Sequence, residues 1–225
     1  MTQAYAYPVL RRQLLHTPPA NAPEQEIIHA DVSRYSYRGF ADRVGRLAAA
    51  LTGLGLGPGS VVAVMDWDSH RYFECFFAVP MIGATLHTVN IRLAPEQILY
   101  TLNHAEDDAI LVHQDFAPLL AQILPQVTRP LRLILQQDRA AKAPPGLDFS
   151  GAYEALLAAA DPDFPFADFD ENTRATLFYT TGTTGEPKGV SYSHRQLLLH
   201  TLGVAAGLGP VPGQGGVHRD DVYMP

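Results

Sequence analysis

Between positions 180 and 189 the chain reads T-T-G-T-T-G-E-P-K-G, and these ten residues carry the side chains best suited to chemistry on a phosphate. Gly182 and Gly185 let a backbone turn with positive φ and bring its N–H groups close to a ligand. Thr180, Thr181, Thr183 and Thr184 add four hydroxyls that donate to oxygen and can also meet a metal ion. Lys188 supplies a mobile point charge suited to a phosphate chain. Glu186, Pro187 and Gly189 complete the run. Anion binding, in the manner of a nucleotide triphosphate loop, is what this composition predicts.

Two familiar phosphate loops are excluded. A Walker A loop needs G-x-x-x-x-G-K-[ST], and five residues on from Gly182 stands Pro187. Gly189 occupies the place of that motif's magnesium-binding hydroxyl. No G-x-G-x-x-G occurs, so the dinucleotide fingerprint is absent. The competing reading is a Thr/Gly-rich surface hairpin with no ligand.

The elements around the loop follow from pattern. Residues 177–180 are apolar, aromatic and β-prone, a short buried strand that delivers the chain to the loop. Val190, Ser191 and Tyr192 resume a β-like run, and Ser193 is placed to cap a helix carrying Leu197, Leu198 and Leu199. Residues 1–25 are proline-rich, with one or two helical turns through Val9, Leu10, Leu14 and Leu15. Two short strands are expected at 26–30 and 33–37. Ser36 then caps a helix whose stripe is Phe40, Val44, Leu47, Ala48 and Leu51, ended by the glycines of 53–59.

The continuous apolar run 61–65 reads as a strand buried on both faces. Asp68 or Ser69 caps a helix over 70–83 with Phe73, Phe76, Phe77 and Val79 inward, and Pro80 kinks or shortens it. Strands are expected at 85–89, 109–113 and 131–135, with helices over 95–103, 116–124 and 153–160. Residues 138–150 read as an exposed connection and 203–216 as a mobile loop. In 161–171, Phe164, Phe166 and Phe169 anchor a surface crossing while the intervening acids stay in water. Strands alternating with helices predict a doubly wound, mainly parallel α/β sheet with helices on both faces and right-handed connections.

Composition narrows the class. With 47% apolar and 17% charged residues, the chain reads as an ordinary globular protein able to bury a sizeable core. A net charge of -7, without long runs, argues against a nucleic-acid surface. Cys75 is the single cysteine, so no internal disulfide forms, and it reads as a small buried hydrophobe. The nine histidines are scattered without ligand spacing and read as surface and core residues. No apolar run reaches the ~18 residues of a spanning helix, and the first residues lack a secretory pattern, so the cytoplasm is the expected location.

The ten-residue loop resembles the phosphate-binding loop of the adenylate-forming enzymes: acyl-CoA synthetases, luciferases and peptide-synthetase adenylation domains. Three further stretches are similar to the fatty-acyl-CoA synthetase branch: Ser36-Tyr37 with its helix, residues 68–90 continuing through 93–108, and the V-S-Y-S-H-R run of 190–195. The likeness covers most of 30–225. It implies a two-step ligase: a carboxylate attacks the α-phosphate of ATP to give acyl-AMP and pyrophosphate, and the thiol of coenzyme A then displaces AMP. Residues 180–184 with Lys188 would hold the β- and γ-phosphates and the leaving pyrophosphate, and Thr180 would also meet Mg²⁺.

The Y-G-x-T-E, T-G-D and late-lysine motifs of the family are missing. The resemblance therefore implies an N-terminal subdomain over 1–175, the beginning of a second over 176–225, no catalytic residue within the chain, and no activity by the chain alone. Its partners would be a fatty acid and the remaining part of its own chain, with homodimers common among relatives. Two alternatives stay open: a free-standing module that binds a nucleotide or a partner, and a ligase of the same superfamily acting on another carboxylate.

Overall fold

The computed structural model describes residues 7–139, 143–180, 185–208 and 221–223. Its first helix, α1 (Arg12–Asn21), runs through Pro18 and Pro19. Neither proline has an N–H to give the preceding turn, and no residue of α1 is fully buried. An antiparallel ribbon follows, β1 (Glu26–His29) against β2 (Ser33–Ser36), turned at Ala30 with φ 46°. Helix α2 (Tyr37–Gly53) starts where Ser36 Oγ accepts from the Gly39 N–H at 3.3 Å. Its stripe of Phe40, Val44, Leu47, Ala48 and Leu51 is buried as the spacing predicts. Gly45 lies on the same face because the 161–170 crossing runs directly over it; a Cβ there would overlap the Pro162 carbonyl oxygen.

The central sheet starts with β3 (Val61–Met65), every residue of which is buried. Ser69 caps α3 (His70–Met81), accepting from the Tyr72 N–H at 3.2 Å. The inward face of α3 differs from expectation. Val79 is fully buried and Phe76 and Phe77 are half-buried, but Phe73 is 43% exposed and stacks on Phe40 at 4.8 Å. Arg71 and Glu74 take the interior instead, and buried charges are tolerated only when neutralised. Arg71 pairs with Asp138 and donates to the Gln137 carbonyl; Glu74 is surrounded by Tyr35, Arg43 and Tyr153.

The chain continues through β4 (Thr85–Thr88), α4 (Pro95–Ala105), β5 (Ala109–His113), α5 (Ala117–Ile123) and β6 (Arg132–Gln136). Then come β7 (Phe149–Ala152), α6 (Tyr153–Ala159), β8 (Arg174–Thr180), β9 (Lys188–Ser193) and α7 (His194–Leu208). The sheet order is β7-β6-β5-β3-β4-β8-β9, parallel except for β9, which is antiparallel to β8. One core packs α2, α3 and α6 on one face, and another packs α4 and α5 on the other. This is the doubly wound α/β architecture with helices on both faces.

Several boundaries move, two of them enough to change an element. The end of the 138–150 connection is part of a strand: β7 pairs in parallel with β6 at the sheet edge, through a register shift. Its sequence F-S-G-A is too short and too small to announce itself. Helix α7 reaches Leu208, so 203–208 are helical rather than loop, and 209–216 lie outside the described residues.

The N-terminal segment is sewn onto the start of α7. The Val9 N–H donates to Glu171 Oε2 at 2.7 Å, the Arg11 N–H to His194 Nδ1 at 3.1 Å, and Glu171 also pairs with Arg195. Glu171 and Asp168, which pairs with Arg12, are therefore bound rather than merely wet. The Arg11 guanidinium lies over Phe76 and Phe77, and burial lowers it to about 10.

Burial holds the His194 imidazole at about 4, with the Arg11 charge acting in the same direction. Above the unfolded value near 6.5 the ring is neutral in both states and adds no pH dependence. Between 6.5 and 4 only the unfolded chain takes the proton, so stability falls as the pH is lowered. The loss should approach roughly 3 kcal/mol at the lower end. Urea midpoints compared between pH 7 and 4.5 should show a shallower fall for His194→Gln than for the wild type. Parallel curves would exclude His194 as a source of acid sensitivity.

Candidate phosphate-binding hairpin

The candidate loop leaves the carboxyl end of β8, the end at which open α/β sheets bind ligands. Its stems are well defined. Thr180 ends β8, Lys188 begins β9, and the two are direct partners across the antiparallel ladder. Thr180 Oγ1 donates to the Lys188 carbonyl at 3.4 Å, and both residues are exposed. Gly185 has φ +92°, a conformation that glycine adopts without strain, and lies in open space. Glu186 and Gly189 are exposed while Pro187 is buried. Thr181, Gly182, Thr183 and Thr184 lie outside the described residues.

Past the hairpin, Ser193 Oγ accepts from the Gln196 N–H at 3.3 Å and Gln196 Oε1 accepts from the Ser193 N–H at 2.9 Å. This reciprocal cap opens α7, as Ser193 predicts. Leu198 turns into the core and Leu199 faces out.

The hairpin stems bring one cation and one hydroxyl side by side at its mouth. No acidic partner reaches the Lys188 side chain among the described residues, so its charge is available at the hairpin mouth beside the Thr180 hydroxyl. Among the described residues no group of three or more His, Cys, Asp or Glu could hold a metal ion.

Sequence reasoning did not find the layer under the hairpin. Tyr179 faces α4 and places its Oη 2.8 Å from His104 Nδ1. His87 Nδ1 lies 2.8 Å from Asp107 Oδ2, and both side chains are buried. Burial, then the Asp107 charge, pushes the Tyr179 hydroxyl up to about 12; burial also raises the Asp107 carboxyl against the pull of His87. The one signal in the sequence was the alternation of β8, which puts Tyr179 on the face of Leu177.

Comparison with known proteins identifies the family. The family described as "AMP-binding enzyme" matches residues 15–225, and the chain belongs to it. Among curated relatives, a 3-methylmercaptopropionyl-CoA ligase of Ruegeria pomeroyi is 44% identical over 175 residues, covering 76% of this chain and 32% of its own length. A medium-chain-fatty-acid–CoA ligase of Ectopseudomonas oleovorans is 39% identical over 178 residues, covering 78% and 32%. A long-chain-fatty-acid–CoA ligase of Thermus thermophilus is 41% identical over 172 residues, covering 76% and 30%. The chain thus spans about a third of the length of the curated relatives it matches. Among solved structures, the anthranilate CoA ligase AuaEII in complex with anthranoyl-AMP superposes with a TM-score of 0.78 at 22% identity, over 95% of this chain and 39% of that one. At that identity the likeness shows the fold alone.

Proposed function

We propose that the chain forms the phosphate-holding part of an ATP-dependent fatty-acid–CoA ligase. The observation that carries this is the exposed Lys188 ammonium directly across the ladder from Thr180, at the carboxyl end of β8. In this reading, residues 180–189 grip the β- and γ-phosphates of ATP while a carboxylate attacks the α-phosphate. The leaving pyrophosphate stays on Lys188 and the threonine hydroxyls, with Mg²⁺ held beside Thr180. Coenzyme A then releases the acyl group from AMP. In this reading the hairpin contributes by positioning and charge stabilisation through Lys188 and the threonine hydroxyls.

Residues 1–225 alone are inactive in this proposal, which divides them into 1–175 and the start of a second unit over 176–225. The remaining part of its own chain would cover the outer side of α7, where Leu199, Leu202 and Val204 are exposed. A cytoplasmic location, where ATP and coenzyme A are at hand, and a homodimer complete the reading. No helix among the described residues is long and apolar enough to cross a membrane.

A second reading has its own support: at 44% identity, one relative is named for a short sulfur-containing acid rather than a fatty acid. Pyrophosphate release by the full-length protein, measured with ATP and Mg²⁺ against octanoate, palmitate and 3-(methylthio)propanoate, separates the two. Release with the fatty acids supports the first; release with the sulfur acid alone supports the second. No release with any carboxylate, together with micromolar ATP binding by calorimetry, would leave a non-catalytic nucleotide-binding module.

A further inference from the structure

The two stems of the hairpin are held from beneath by side chains that the phosphate contacts do not use. Among the described residues, strand β9 is the edge of the sheet and pairs with β8 alone, so its position depends on what fixes β8. Tyr179, the residue before Thr180, is clamped on three sides. From α4, His104 meets its hydroxyl at 2.8 Å, with the ring edge-on at 5.6 Å. From β4, the His87 ring packs against it at 5.2 Å and is itself set by Asp107. From β9, Gly189 faces the phenol: a Cβ there would stand in ordinary contact, 3.4 Å from Tyr179 Cε1 and 3.5 Å from Cζ. Tyr179 and Gly189 are ladder partners, one step from the Thr180–Lys188 pair.

We infer that Tyr179, set by His104, is a positioning residue for the hairpin. It holds the backbone of β8 against that of β9, so that the Thr180 hydroxyl and the Lys188 ammonium face one ligand. Asp107 and His87 keep the ring from turning away. The inference rests on the proposed function for the identity of that ligand, though not for the clamp itself.

Tyr179→Phe, made in the full-length protein, keeps the ring and removes only the hydroxyl. Amide hydrogen exchange should then quicken about five-fold at 179–180 and 188–190 and nowhere else in the sheet, the equivalent of one ordinary hydrogen bond. The KM for ATP should rise by about the same factor, while kcat and the KM for the carboxylate stay within about twofold. His104→Ala should reproduce both effects, and the double variant should add nothing to either, as for groups acting as one unit. His104→Asn, which keeps an acceptor at the position of Nδ1, should restore them. Unchanged exchange and an unchanged KM for ATP in Tyr179→Phe would overturn the inference. So would loosening spread across the whole sheet, which marks general support rather than positioning. If the wild type releases no pyrophosphate, the exchange pattern still decides the role of Tyr179, and only the proposed function falls.

Discussion

Replacing Lys188 with alanine should lower kcat/KM for ATP in the full-length enzyme by about 100-fold, the size of effect seen when one preorganised donor to a developing charge is removed. The ammonium stands exposed at the mouth of the β8–β9 hairpin with no acidic partner among the described residues, so no salt bridge is broken by its loss. Stability should therefore stay within about 0.5 kcal/mol of the wild type, as for an ordinary surface substitution. Lys188→Arg keeps the charge but spreads it over a planar fork, and should recover only part of the rate. The check is steady-state pyrophosphate release over a range of ATP concentrations. Normal turnover by Lys188→Ala would remove the loop from the mechanism, and with it the observation on which the proposed function stands.

The contrast between this loop and its support shows what a sequence makes legible. Contiguous motifs and short-period patterns could be read directly: the 180–189 run, the buried strands β3 and β5, and the caps at Ser36, Ser69 and Ser193. Each of these depends on residues within a few positions of one another. What could not be read depends on partners far apart. Tyr179 meets a histidine 75 residues earlier, and the strand β7 exists only because β6 offers it an edge. Helix α3 is the plainest case. Hydrophobicity turns Phe73 inward, yet the interior is occupied by Glu74, whose three partners come from β2, α2 and α6.

Glu74 also gives the largest expected effect on folding. Its carboxylate is fully buried, accepting from Tyr35 Oη at 2.7 Å, Arg43 Nε at 2.7 Å and Tyr153 Oη at 2.6 Å. Arg43 continues outward, donating through both terminal nitrogens to Glu154 at 2.9 and 2.8 Å. Burial alone would raise the Glu154 carboxyl, but hydrogen bonds from His70 and Arg43 hold it down at about 2. One residue thus ties the β1–β2 ribbon, α2 and α6 to α3. Truncating it leaves the buried Tyr153 hydroxyl, the half-buried Tyr35 hydroxyl and part of a guanidinium without their acceptor.

Glu74→Ala should cost about 3–5 kcal/mol at pH 7, the range found when one partner of a buried charged pair is removed. Glu74→Gln keeps the shape and one good acceptor but turns an amide N–H₂ toward groups that also donate, so it should recover only part of the loss. Urea unfolding of the chain measures both, and a loss under about 1 kcal/mol for Glu74→Ala would mean that the network is not needed to hold these elements together. The same variant combined with Tyr153→Phe should cost less than the separate losses added, because the phenylalanine leaves no orphaned hydroxyl. Strict additivity would assign the cost of Glu74→Ala to a cavity instead.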